Sequence, residues 1–108
     1  MERLAVLNVV GLSGSLLPQM PALSRFLARH EKSSFKPVFP AVTCSAQSTY
    51  LTGLGPAEHG IVGNGWYDRE SAEVRFWKQS NHLVRGEKLW EVLRRERDGF
   101  TCAKMFWW

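Results

Sequence analysis

Leu4 to Val10, LAVLNVV, is an almost unbroken apolar and β-branched run closed by the turn-forming GLSGS. With so little polar face, it predicts a strand covered on both sides, as in a parallel sheet. Past Ser13-Gly14-Ser15 the period changes. Leu23, Phe26, Leu27 and His30 recur at helical spacing and Pro21 stands where a first turn tolerates it, predicting an amphipathic helix over 21–31 that ends near His30. KPVFP, residues 36–40, is a short extended piece bracketed by prolines. Residues 45–52 are helix-compatible, with Thr43 at the start, where Thr is favoured as a cap, and Gly53 just past the end. LGPAEHGIVGNG is turn-rich, and the aromatic segments GWYD and EVRFW suit a hairpin or the lining of a cleft. EKLWEVLRRER predicts a helix over 87–97 with Leu89, Trp90, Val92 and Leu93 inward, ended by Asp98-Gly99. Phe100 to Trp108 is again apolar and strand-like.

This order predicts an α/β fold with a mainly parallel sheet and flanking helices. Two core strands do not make a stable parallel domain, so residues 1–108 are expected to be the N-terminal portion of a single larger domain. The apolar, aromatic KMFWW points the same way, because termini are usually polar and exposed.

Composition narrows the classes. Hydrophobic residues make up 44% and charged residues 22% of 108, as in a globular protein, and no apolar run approaches the roughly 20 residues of a membrane span. The first residues carry one Arg, a neighbouring Glu and an Asn within the apolar run, reading as a strand rather than a signal peptide, so a cytoplasmic location is expected. The net charge of +4 is scattered except for Arg94, Arg95 and Arg97, which read as a solvated helix face. Cys44 and Cys102 have neither CxxC spacing nor a His-rich partner segment, which argues against structural zinc. Five Trp without a repeat fit core packing better than a single-strand nucleic-acid platform, so no nucleic-acid polymer is expected as a partner.

Candidate chemistry is concentrated in residues 39–64, FPAVTCSAQSTYLTGLGPAEHGIVGN. A Thr at a helix start is either a cap or a nucleophile toward phosphorus, since the free amides and dipole of a helix N-terminus stabilise phosphoryl oxygens. Cys44 is either a thiolate activated by the same helix end or a small buried hydrophobe.

Read whole, the window resembles the nucleophile segment of the type I phosphodiesterase/nucleotide pyrophosphatase family of the alkaline phosphatase superfamily. The likeness rests on Phe39-Pro40, Thr43, Thr52-Gly53-Leu54, Pro56, His59-Gly60-Ile61 and Asn64, and extends through GNGWYDRESAEVRFWKQSNHLVRGEKLWEVL to AKMFWW. The resemblance implies an alkaline-phosphatase-like three-layer sandwich, incomplete in this chain. It implies metal-dependent hydrolysis of phosphodiester or pyrophosphate bonds in a phosphorylated, nucleotide-like small molecule, through a phospho-threonine intermediate. Thr43 would be the nucleophile and a metal ligand, and Asn64 would donate a hydrogen bond to a phosphoryl oxygen. His59 would belong to a structural turn. Two divalent ions, zinc in this family, would be held mostly by residues downstream of 108, leaving this segment inactive by itself. A sulfatase is disfavoured, because its modified Cys would stand at Thr43 and Ala46 and Ser48 lie near the places of its Pro and Arg. The metal-binding Asp that closes the family's first strand is replaced by Val10, leaving Asn8, on the same strand face, as the alternative ligand. The alternatives are a phosphomonoesterase of the same superfamily and a non-catalytic homologue that binds a phosphorylated ligand.

Overall fold

A computed structural model of the protein describes residues 3–78 and 80–107. The chain divides into two compact units, one ending at Phe35 and the other beginning at Lys36.

In the first unit, the extended residues before the turn at Val10-Gly11 lead to a 3-10 segment, Gly14–Gln19, and helix α1, Pro21–Leu27. The strand expected over Leu4–Val10 is not formed. The stretch is extended but unpaired, with Leu4 85% and Val10 74% exposed. A buried strand needs neighbours for its N–H and C=O groups, and among the described residues none pairs with it. Helix α1 stops short of the expected residue 31. Its last turn tightens, Arg29 N–H donating to the Phe26 carbonyl (3.1 Å) and His30 N–H to that of Leu27 (3.3 Å). His30 lies three residues past the helix rather than at its end, its Nδ1–H donating back to the Phe26 carbonyl (2.7 Å) while its ring stacks on Phe26.

The second unit is built around helix α2, Thr43–Thr52, and the short helix α3, Pro56–His59. Gly53 closes α2 in the left-handed region (φ 72°), its N–H on the Thr49 carbonyl at 2.8 Å, as its place in the sequence leads one to expect. Thr52 Oγ1 donates to the Ser48 carbonyl (2.7 Å) and accepts from Leu54 N–H (3.2 Å), tying the helix end to the turn that follows. Strands β1, Gly65–Asp68, and β2, Glu73–Phe76, form an antiparallel hairpin with Trp66 opposite Arg75 and Tyr67 opposite Val74. Asp68 holds its turn, accepting from the Glu70 and Ser71 amides and the Ser71 hydroxyl and pairing with Arg75 at 3.1 Å.

Helix α4, Leu89–Glu96, follows a 3-10 segment at Asn81–Leu83. Its Trp90, Val92 and Leu93 are half-buried as expected, but Leu89 is 47% exposed. Lys88 is buried there instead, its Nζ on the Val84 carbonyl at 2.9 Å and its backbone N–H on Glu91 Oε2 at 2.7 Å. A lysine stem covers apolar surface when its ammonium finds an acceptor. Arg94, Arg95 and Arg97 are solvated. The expected strand from Phe100 is absent, residues 100–107 being irregular with Phe106 92% exposed, and Trp108 lies outside the described residues. The described fold is thus mixed helix and strand with one two-stranded antiparallel sheet, and no parallel pairing occurs among the described residues.

Gly86 joins the 3-10 segment to α4 at φ 86°, where an added Cβ would run into Leu54 Cδ1. Gly86→Ala is therefore expected to cost about 1–3 kcal/mol by urea unfolding. Gly14→Ala, at an ordinary φ with open space around it, should stay close to wild type.

Candidate active site

Helix α2 begins at Thr43, one residue past the cap position, which the extended Val42 (φ −114°, ψ 162°) occupies without a side-chain cap. Thr43 is therefore a first-turn residue and not the expected cap. Its half-buried hydroxyl has no hydrogen-bond partner among the described residues. The capping function comes instead from twenty residues downstream, where Asn64 Oδ1 accepts the Cys44 backbone N–H at 2.9 Å. An amide N–H only donates, so this contact fixes the Asn64 oxygen on the helix and leaves its NH2 to point elsewhere. Asn64 is itself held by the hairpin, its carbonyl accepting Trp77 N–H at 2.9 Å next to the Gly65↔Phe76 pair. A side chain at Gly65 would collide with the Phe76 ring.

The face that α2 buries is polar. Cys44 is 4% exposed, Ser45, Gln47 and Ser48 are buried beside it, and Ile61, from the segment beyond α3, is buried as well. Burial raises the Cys44 thiol above its ordinary value, which opposes a thiolate, so of the two readings of Cys44 the buried hydrophobe is the one the structure supports. The Ser45 hydroxyl is fully buried and without a partner among the described residues.

His59 is fully enclosed. Its Nδ1 accepts Ile61 N–H at 3.0 Å and its Nε2 lies 3.0 Å from Thr49 Oγ1, so one ring nitrogen is occupied by the turn and the other by α2, as expected of a structural residue. Burial lowers its pKa, against the opposing pull of the Ser45 backbone and the Glu58 carboxylate. Thr49 was not marked by the sequence, where it is one hydroxyl among several. Only its place one turn before the helix end, facing the residue ten positions on, would have pointed to it.

The expected metal residues, Asn8 and Thr43, belong to different units of the chain. Asn8 and Val10 lie exposed in the first unit, and Thr43 belongs to the second. Among the described residues, no group of three or more His, Cys, Asp or Glu side chains has the spacing to hold a metal ion. One neutral amide and one hydroxyl are a poor donor set for a pair of divalent cations, so these residues do not by themselves fit such a centre. A small cavity beside α2 is lined by Cys44, Ser48, Ile61, Lys78, Asn81 and Val84 among others. No helix among the described residues is long and apolar enough to cross a membrane.

The family model described as Type I phosphodiesterase / nucleotide pyrophosphatase matches residues 4–108. No solved structure matches the chain.

Two outcomes follow from this geometry. Asn64→Ala removes the cap and should cost about 1 kcal/mol, whereas Asn64→Asp keeps the acceptor and should unfold close to wild type. In the native protein a thiol reagent should modify Cys102, which is exposed, and spare Cys44 until denaturant is added.

Proposed function

The chain belongs to the type I phosphodiesterase/nucleotide pyrophosphatase family, and from that premise we propose that it supplies the nucleophile segment of an enzyme hydrolysing phosphodiester or pyrophosphate bonds in a phosphorylated, nucleotide-like small molecule. Members of the family are typically hydrolases of this kind and generally metal-dependent. The observation that carries the reading is the Thr43 hydroxyl, relieved of capping at a helix start whose cap comes from Asn64.

Thr43 Oγ1 attacks phosphorus in line with the leaving oxygen. The new O–P bond forms as the old one breaks, the hydroxyl proton passes to water, and the departing oxygen takes up a proton. Non-bridging oxygens then face the positive end of α2 and the free Asn64 NH2, both oriented before the reaction begins. Water attacks the Thr43 ester in a second displacement and restores the hydroxyl. We place most ligands of the two divalent ions, zinc by the resemblance, outside the described residues, with Thr43 and Asn8 as the candidates within them. Residues 1–108 are, in this proposal, the N-terminal portion of a larger alkaline-phosphatase-like sandwich. The exposed apolar stretch at Leu4–Val10 supports it, being a strand sequence without a sheet.

A second reading, a non-catalytic homologue that binds a phosphorylated ligand, is favoured by Val10 in the place of the metal-binding Asp. Turnover separates the two. In the full-length protein, Thr43→Ala should lower kcat by about 10³-fold or more on a phosphodiester substrate, while Cys44→Ala retains most of it. Full activity in Thr43→Ala would remove the threonine from the chemistry, and no turnover in the wild type with no bound metal would favour the second reading.

A further inference from the structure

We infer that His59 is the positioning residue of this site: protonated at Nε2 alone, it pins residues 60–64 to α2 and thereby keeps the Asn64 oxygen on the Cys44 amide. The catalytic consequence rests on the phosphoryl-transfer reading above, whereas the positional one does not.

The bonds at the two ring nitrogens fix the tautomer of His59. The Ile61 backbone N–H reaches His59 Nδ1 at 3.0 Å and can only donate, so Nδ1 carries a lone pair and the ring proton sits on Nε2, facing Thr49 Oγ1. The His59 carbonyl accepts Arg85 N–H at 3.0 Å, so one residue joins α2, the turn after α3 and the segment before α4. From His59 the chain passes Gly60, left-handed at φ 82°, and the buried Ile61 before it reaches Asn64. This short segment is fastened to α2 at two places, His59 to Thr49 near one end and Asn64 to Cys44 at the start. Five residues separate the two α2 contacts, a span of about 7.5 Å along the axis. Release of the first leaves Asn64 as the segment's remaining side-chain bond to α2, beside the backbone bonds to Arg85 and Trp77.

A second proton on the ring would set an N–H of His59 against the N–H of Ile61 and break the turn bond. Glu58 on α3 is the negative charge that acts on the ring, with its carboxylate already on the Gly55 amide at 2.8 Å. The Arg85 guanidinium lies against Gly60 from the segment before α4, and α2 contributes only Cys44 and Tyr50 as titratable groups, with no charged side chain. The structure thus favours the neutral ring at neutral pH, and acid should loosen residues 60–64. His59→Asn retains an acceptor at the Nδ1 position, His59→Gln retains reach toward Thr49, and His59→Ala retains neither.

The test uses the full-length protein and reads position before activity. Nitrogen-detected NMR of the histidine rings should find His59 as the Nε2–H tautomer. The Cys44 backbone amide and the Asn64 side-chain NH2 should shift together as acid protonates that ring, and should stay still over the same range in His59→Asn. In kinetics, His59→Ala should lose kcat by about 10²-fold with KM little changed, and His59→Asn should recover part of it while losing the His59-dependent part of the acid limb. The inference is overturned if His59 is the Nδ1–H tautomer, or if the Cys44 and Asn64 signals ignore its titration. Should His59→Ala fail to fold, the wild-type titration and His59→Asn still decide the matter. Normal turnover in Thr43→Ala would defeat the functional reading while leaving the NMR result to stand or fall by itself.

Discussion

The hydrogen bond from the Cys44 amide to Asn64 Oδ1 is the constraint on which the second unit's arrangement depends. As a cap it is worth about 1 kcal/mol, little more than any other helix cap. Its consequence is geometric. Because the acceptor comes from twenty residues away, Thr43 is excused from the local bond that a threonine at a helix start ordinarily makes, and its hydroxyl stays available. The same contact orients the Asn64 amide group, so one side chain both completes the helix and presents two donors beside it.

What surrounds that bond is a polar interior rather than an oily one. Helix α2 buries Ser45, Gln47 and Ser48, and its partner α3 ends in a histidine with no exposure at all. Such groups are tolerated in low dielectric only when their hydrogen bonds are made, and a satisfied network specifies position more tightly than apolar contact does. The two arms of His59 and the clasp of Thr52 on Ser48 and Leu54 supply that satisfaction, while the Ser45 hydroxyl stands outside it.

Local features were legible in the sequence and relational ones were not. The aromatic segments at 65–68 and 73–76 form their hairpin and Gly53 closes its helix, each because the determining atoms lie within a few residues. The runs at Leu4–Val10 and from Phe100 have strand composition, yet strand formation needs a neighbour that composition cannot provide. Thr43 was misplaced as a cap because local preference sees a threonine before a helix and cannot see an asparagine twenty residues on. Leu89, expected inward, is exposed while the neighbouring Lys88 is buried, the Val84 carbonyl being what makes a buried lysine acceptable. Of the candidate site, the motif marks Thr43 and Asn64 as residues, whereas the bond from the Cys44 amide to Asn64 joins positions twenty apart and leaves no local signal; no metal donor cluster occurs among the described residues.

Chemical capture of the covalent intermediate tests the central claim most directly. The full-length protein, mixed with a phosphodiester substrate and quenched in acid during turnover, would be digested and mapped by tandem mass spectrometry. A phosphoryl ester on the Thr43 side chain is expected, absent from the Thr43→Ala variant. Steady turnover with the substrate's phosphorus attached to Cys44, His59 or no residue would contradict it.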